Sequence, residues 1–385
     1  MSQNESHSHI FVVLFIAVFA AMLGIGIIAP LMAIYAVKLK ASGIWLGVIF
    51  SAFSISRGIL MPVVGKISDI HGRKNILLIG LFIYSLSSVG YVWSDSISKL
   101  IEVRLIHGIA SAMVVPIAMA YVGDISPKGK EGVFIGTFNS SMFLGMGMGP
   151  FMGGVINDAA GMDNVFYVMG LLSLFSFLLI LTMLPESSSV GKGKKVVSAT
   201  FREMFHNDVV KGLFLYRAVN TIGIGAILAF LPILADLMGI SSLRIGIILS
   251  INIVLLALLQ RPFGKLADRR TKTPLIISGS IIASLALFLM PFASGFYSLL
   301  FLSMIMGIGS AISIPAATAI IAILGKKYGM GGIMGVFNTG MSAGMVMSPV
   351  LSGVVMDTLG IDYVFYIGGV ASIVGVVIFY YYLNK

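Results

Sequence analysis

GVFIGTFNSSMFLGMGMGPFMGGVINDAAGMDNVFYVMG (residues 132–170) and GGIMGVFNTGMSAGMVMSPVLSGVVMDTLGIDYVFYIGG (residues 331–369) decide how this chain is built. The two stretches align without a gap at an offset of 199 residues and share 18 of 39 positions. Chance matches between apolar helices fall on Leu and Ile. Here they fall on Phe138-Asn139 and Phe337-Asn338, Pro150 and Pro349, Asp158 and Asp357, and Val165-Phe166-Tyr167 and Val364-Phe365-Tyr366. The same offset carries Gly65-Lys66 onto Gly264-Lys265, Asp69 onto Asp268, Gly108 onto Gly307 and Pro116 onto Pro315. The halves are copies of one unit.

The repeated unit is a membrane unit. Of 385 residues, 58% are hydrophobic and only 10% charged, with a mean hydropathy of +1.04. A soluble domain carries about a quarter charged residues, so soluble and disordered classes are excluded. The absence of cysteine removes disulfide scaffolds, thiolate metal sites and thiol catalysis. Apolar runs long enough for a helical span occur at about 10–36, 44–64, 75–93, 99–122, 131–156 and 164–184, then at about 208–236, 243–263, 274–292, 296–324, 330–356 and 362–383. None shows the alternation of a barrel strand. The expectation is an all-α membrane protein of twelve transmembrane helices: a six-helix bundle over 1–184, a linker over 185–207 and a second bundle over 208–385. The first run follows a leader without Lys or Arg and exceeds a signal-peptide core, so it is expected to be a retained helix. Its Gly24-x-Gly26 pair recurs as Gly223-x-Gly225.

The cations give the orientation. With the N-terminus in the cytoplasm, seventeen Lys and Arg fall in inner segments, and only Lys38, Lys40, Lys99 and Arg244 in outer loops. This bias predicts a multi-pass protein of the cell membrane with both termini cytoplasmic. The net charge of +10 therefore reports topology and anionic lipid headgroups. No basic stripe interleaved with aromatics points to nucleic acid. Six crossings separate equivalent positions, so both copies run the same way through the bilayer. Parallel repeats of this kind place a solute site at their interface.

The motifs resemble those of the major facilitator superfamily over essentially the whole chain. Gly65-Lys66-Ile67-Ser68-Asp69-Ile70-His71-Gly72-Arg73-Lys74 is similar to the family's cytoplasmic loop signature G-x-x-x-D-x-x-G-R-K, and Gly264–Arg269 is a degraded copy. Arg104-Leu105-Ile106-His107-Gly108 is similar to the R-x-x-Q-G pattern of proton-coupled members, with His107 in place of Gln. Gly145–Gly154 resembles the G-x-x-x-G-P-x-x-G-G motif of antiporters, and Gly24-x-Gly26 followed by Pro30 resembles the first helix of twelve-helix drug exporters. The resemblance implies the major facilitator fold and a secondary transporter, with proton-coupled efflux of small amphiphilic compounds as the leading function. A facilitator or proton-coupled carrier of a sugar or small organic acid is the alternative.

Each motif also has a physical reading. Asp69 and Arg73 flank a turn at Gly72, and Arg73 lies within reach of Asp124 at the end of the fourth span. With Asp268 they form the expected cytoplasmic gate, which Asp69 is expected to reinforce near the positive end of the eleventh span, about Gly331-Gly332. Gly145, Gly149 and Gly153 share one helix face with Pro150 as a bend and Gly154 beside it. Such a face suits close packing, and is read as a bendable interface between halves. Charges within spans default to function. Those cations are Arg57, Arg104, Arg217 and Arg261, and Glu102 is the only acid expected at depth. Arg104 and His107, three apart, are the expected proton-coupling pair with Glu102 as a compensating acid, and proton and substrate would compete there. Met22, Met113, Met142 and Met341 offer an adaptable apolar wall. Gly26, Arg57, Asn139, Arg217 and Asn338 complete the expected substrate cavity. The first span carries no buried acid of the kind some cationic-drug exporters use.

No Walker loop, H-E-x-x-H or hydrolase elbow is present, so neither ATP drive nor catalysis is expected. The expected partners are a small-molecule substrate, protons and the lipid bilayer, with no cofactor or metal, for a protein acting as a monomer.

Overall fold

A computed structural model describes residues 3–126, 131–186, 201–328 and 330–383. Among them there is no strand. The helices are α1 (Gln3–Lys38), α2 (Gly43–His71), α3 (Arg73–Val92), α4 (Ile97–Ile125), α5 (Glu131–Ala160), α6 (Met162–Met183) and the short α7 (Phe201–Met204). After these come α8 (Asp208–Leu237), α9 (Ser242–Arg269), α10 (Lys272–Leu289), α11 (Phe296–Tyr328), α12 (Met330–Leu359) and α13 (Ile361–Leu383). Twelve are long enough to cross a bilayer, and eleven of these are also apolar enough over the described residues. The exception, α5, is diluted by the glycines of its motif, which carry little hydropathy.

The duplication is visible in packing. In the first half α1 packs on α5 and α6, and α3 on α4 and α6. In the second half α8 packs on α12 and α13, and α10 on α11 and α13, the same pairs one repeat later. The backbone repeats as well. Gly161 ends α5 at φ 85° and Gly360, its counterpart, ends α12 at φ 103°. Only glycine enters that region without a steric penalty, so both copies turn sharply into their last helix. α8 begins on Asn207, whose side-chain oxygen accepts the Val210 backbone N–H at 3.2 Å.

The chain forms two compact units, residues 1–39 with 52–194 and residues 40–51 with 195–385. Each has its own apolar core. One is built around Leu14, Val18, Leu77, Tyr84, Tyr121 and Phe138, the other around Val210, Tyr216, Ile276, Ile321 and Phe379. One sequence assignment is corrected. Residues 40–51, the first turns of α2, pack with the second unit rather than with the N-terminal half. A carboxylate explains this: Asp357 of α12 accepts the backbone N–H groups of Gly43 at 2.6 Å and Ile44 at 2.9 Å, capping the N-terminus of α2. Further along, Ser51 donates to the Val346 carbonyl at 2.6 Å. Most of the expected linker, residues 187–200, lies outside the described residues.

Candidate functional site

The first unit encloses a polar cluster on α4. Arg104, His107 and Ser111 fall at i, i+3 and i+7 on one face, and all three are buried. His107 is 1% exposed inside an aromatic box, with its ring edge-on to Tyr84 at 4.7 Å, Phe53 at 5.2 Å and Tyr91 at 5.7 Å. Its Nδ1 lies 2.8 Å from the Tyr91 hydroxyl. The Arg104 guanidinium sits 4.7 Å over the Phe53 ring and hydrogen-bonds the same Tyr91 oxygen. The Tyr91 hydroxyl therefore stands between the Arg104 guanidinium and the imidazole, and the direction of its bond to Nδ1 follows the tautomer of His107. Nε2 is buried with no hydrogen-bond partner among the described residues, and the Tyr84 hydroxyl beside Ser111 lacks a well-formed bond too. Gly108 completes the motif for a steric reason: a Cβ there would run into Ser56 and the Phe53 carbonyl of α2.

Tyr84 and Tyr91, one face of α3 at i and i+7, were not singled out from sequence. Their only sequence signal is that spacing, which core tyrosines share. Glu102 does not join the cluster. It is exposed, because two residues from Arg104 is roughly 200° around a helix.

In the second unit, Arg217 of α8 has its guanidinium 4.9 Å from the Phe337 ring, with Nη2 2.9 Å from the Met341 sulfur. Its Nε is buried without a hydrogen-bond partner among the described residues. Arg57 is partly buried on α2, near enough to act electrostatically on Tyr84. Several expected cavity residues belong to packing instead. Met22 is 3% exposed within the first unit's core, and Met142 and Met113 pack against that core, Met113 also opposing Gly80 of α3. Gly26 is occupied by its approach to α5. Asn139 is half-buried and Asn338 exposed. Arg261 is exposed near the end of α9.

A charged cluster forms where α2 meets α3. Gly72 makes the turn at φ 93°. Arg73 pairs with Asp69 at 3.0 Å, donates from Nε to Asp124 and places Nη2 3.4 Å from the other Asp124 oxygen. Here the ion pairs differ in worth. The Arg73 and Asp124 side chains are only 13% and 20% exposed, whereas Asp69 is 60% exposed. The Asp69 bond is therefore worth under about 1 kcal/mol, and the Asp124 bond more. The sequence reading missed Glu186. Its Oε1 accepts the Lys74 backbone N–H at 3.0 Å, placing a carboxylate at the N-terminus of α3, and a Cβ on Gly72 would meet that carboxylate at 2.6 Å. All these partners lie within the first unit. Asp268, the repeat counterpart of Asp69, is exposed and makes no ion pair among the described residues.

The glycine motif of α5 is placed differently from its sequence reading as an interface between halves. Its face lies on α1 of the same unit. A Cβ at Gly145 would sit 2.6 Å from the Phe19 carbonyl, at Gly149 it would overlap Gly26, and at Gly153 it would overlap the Ile27 carbonyl. Pro150 lies within the helix and Gly154 is buried beside this seam. The second copy repeats the arrangement on α8: Gly340 faces the Phe214 carbonyl, Gly344 faces Ala218, and Ser348 donates to the Ile222 carbonyl at 2.6 Å. Among the described residues, no group of three His, Cys, Asp or Glu side chains gathers to hold a metal.

Two copies of a six-helix membrane bundle, the first holding a buried arginine and a buried histidine, define a polytopic membrane protein of duplicated design. The sequence matches the profile of the Major Facilitator Superfamily over residues 14–244 and 213–385, and the chain belongs to that superfamily. It is 34% identical over 379 residues to an uncharacterized MFS-type transporter of Methanocaldococcus jannaschii, covering 97% of this chain and 98% of that one. It is 28% identical over 388 residues to Multidrug resistance protein 2 of Bacillus subtilis, covering 97% and 95%. In fold it is similar to a bacterial homolog of the human lysosomal transporter Spinster, with a TM-score of 0.82 at 15% identity, covering 98% and 96%.

Proposed function

We propose that this transporter is a secondary active exporter of small amphiphilic compounds, driven by protons, acting as a monomer in the cell membrane with both termini in the cytoplasm. The observation that carries the coupling is the run Arg104–Tyr91–His107: a buried cation, a hydroxyl and an imidazole whose second nitrogen has no partner among the described residues. Histidine is the side chain whose ordinary titration spans physiological pH, and here its Nδ1 bonds a hydroxyl that also answers to Arg104. A proton arriving at the ring must rearrange the Tyr91 bond, which links protonation to the packing of α3 on α4. The multidrug name of the Bacillus subtilis relative agrees with an amphiphilic substrate. The positive-inside count supports a cytoplasmic position for the Asp69–Arg73–Asp124 cluster, which acts there as a gate element in this reading.

The test is flux into proteoliposomes under an imposed pH gradient. His107→Gln keeps a hydrogen-bonding side chain but cannot titrate, so transport should persist while its pH dependence between about pH 5 and 8 flattens. A profile superimposable on wild type makes His107 structural. Wild-type flux that ignores both ΔpH and membrane potential favours a facilitator. For the gate, Asp69→Asn should slow transport with near-normal expression and little change in unfolding temperature, whereas Asp124→Asn should destabilise by roughly 1–3 kcal/mol by leaving Arg73 poorly paired. Equal unfolding temperatures for the two variants contradict this ranking.

A further inference from the structure

The repeat sets Arg217 against an apolar counterpart. Equivalent positions share helix pairs, turn glycines and small-residue seams, yet Arg217 stands where the first copy has Val18, a buried apolar residue of the core. A guanidinium has therefore been placed where an aliphatic side chain serves the same architecture. Its surroundings do not neutralise it. Among the described residues the groups on it are the Phe337 ring and the Met341 thioether, neither of which carries a negative charge, and Nε has no acceptor there.

The acids of the second unit are all at helix ends or beyond them. Asp208 and Asp236 bracket α8, Asp268 ends α9, Asp357 lies near the end of α12, Asp362 begins α13 and Glu203 is in α7. The nearest along the helix, Asp208, is nine residues from Arg217, about 14 Å at helical rise. Asp208 is itself paired with Lys211 at 2.8 Å. Among the described residues, the titratable group that acts on Arg217 is Tyr216, whose hydroxyl is engaged by Ser280 at 2.8 Å. An unneutralised cation at this depth is costly and marks a site.

We propose that Arg217 is the anion-binding residue of the substrate site, and that the transported class is a small amphiphile bearing a carboxylate. Arg217 as a whole is only partly buried, although its Nε is buried. A planar guanidinium receives a carboxylate through two parallel N–H···O bonds, which a thioether cannot supply. The Phe337 ring and Met341 then offer the apolar body of the same molecule an aromatic face and an adaptable wall. This assignment rests on the transport reading above and names its substrate class. It also fits the sequence, since the spans hold four arginines and only Glu102, which is exposed, against them.

The experiment uses the purified full-length protein in detergent, without any gradient. Its unfolding temperature is measured against 4-phenylbutyrate, 4-phenylbutyramide and 4-phenylbutylamine, three head groups on one skeleton. The carboxylate should stabilise the protein in a saturable manner, with the amide and the amine each at least about tenfold weaker. Arg217→Gln should lose that preference, Arg217→Lys should retain part of it, and Arg270→Gln should behave as wild type. Equal or stronger stabilisation by the amide or the amine overturns the proposal on wild-type protein alone, as does a lack of carboxylate stabilisation up to its solubility. Retention of the preference in Arg217→Gln overturns the assignment of the residue. A flux that ignores ΔpH would remove the coupling reading and leave this binding result standing, and the reverse also holds.

Discussion

Arg104→Ala abolishes gradient-driven transport while the protein still folds: this is the expected result, with a fall of roughly 10- to 100-fold in ΔpH-driven flux. The magnitude follows from a charge-assisted hydrogen bond worth about 1.5–3 kcal/mol that is spent on the coupled step. Arg104 is 8% exposed and holds both the Phe53 face of α2 and the Tyr91 hydroxyl of α3. Its loss frees the Tyr91 oxygen that also bonds His107. Arg104→Lys should recover only part of the flux, because an ammonium keeps the charge but not the planar fork. Flux within twofold of wild type for Arg104→Ala, measured in proteoliposomes at matched protein content, would show that the cluster is packing and nothing more.

The second large effect is expected at the α1–α5 seam. Gly149→Ala should cost about 1–3 kcal/mol, since a Cβ there overlaps the backbone of Gly26, and backbone cannot yield as a flexible side chain can. Gly149→Val should cost more and prevent accumulation of folded protein. The contrast is Gly58→Ala on α2, where nothing lies within 4 Å of the added atom. There a helix gains from the replacement, by up to about 1 kcal/mol. Unfolding temperatures of the three variants in one detergent decide the matter. A Gly149→Ala protein as stable as wild type would mean that the seam relaxes freely, contrary to the close approach of α1 and α5.

Part of this picture was legible in residues alone. The turn at Gly72 and the pairing of Arg73 with Asp69 follow from a spacing of four and a glycine, and the structure contains both. Arg104 and His107 share a face because three residues is nearly one helical turn. The same arithmetic puts Glu102 on the far side. Other assignments failed for a common reason. Met22 and Gly26 were read as cavity wall, yet Met22 fills the core and Gly26 lies against Gly149. Periodicity says that a face is apolar or small, not what covers it.

What the sequence by itself determined is the number of spans, their duplication at an offset of 199 residues, the motif positions and the superfamily, because hydropathy, turn glycines and in-register repeats are properties of the chain read in order. What only the tertiary structure decided is the set of partners. Tyr91 reaches His107 from another helix, Glu186 closes the start of α3 from 112 residues away, and Asp357 caps α2 from 314 residues away. The α5 glycines spend their face on α1 of their own unit, and Arg217 has a ring and a sulfur beside its guanidinium. These are facts of distance between separate helices. A hydrogen bond or a steric overlap acts over about 3 Å, and no pattern along one helix specifies which atoms another helix brings that near.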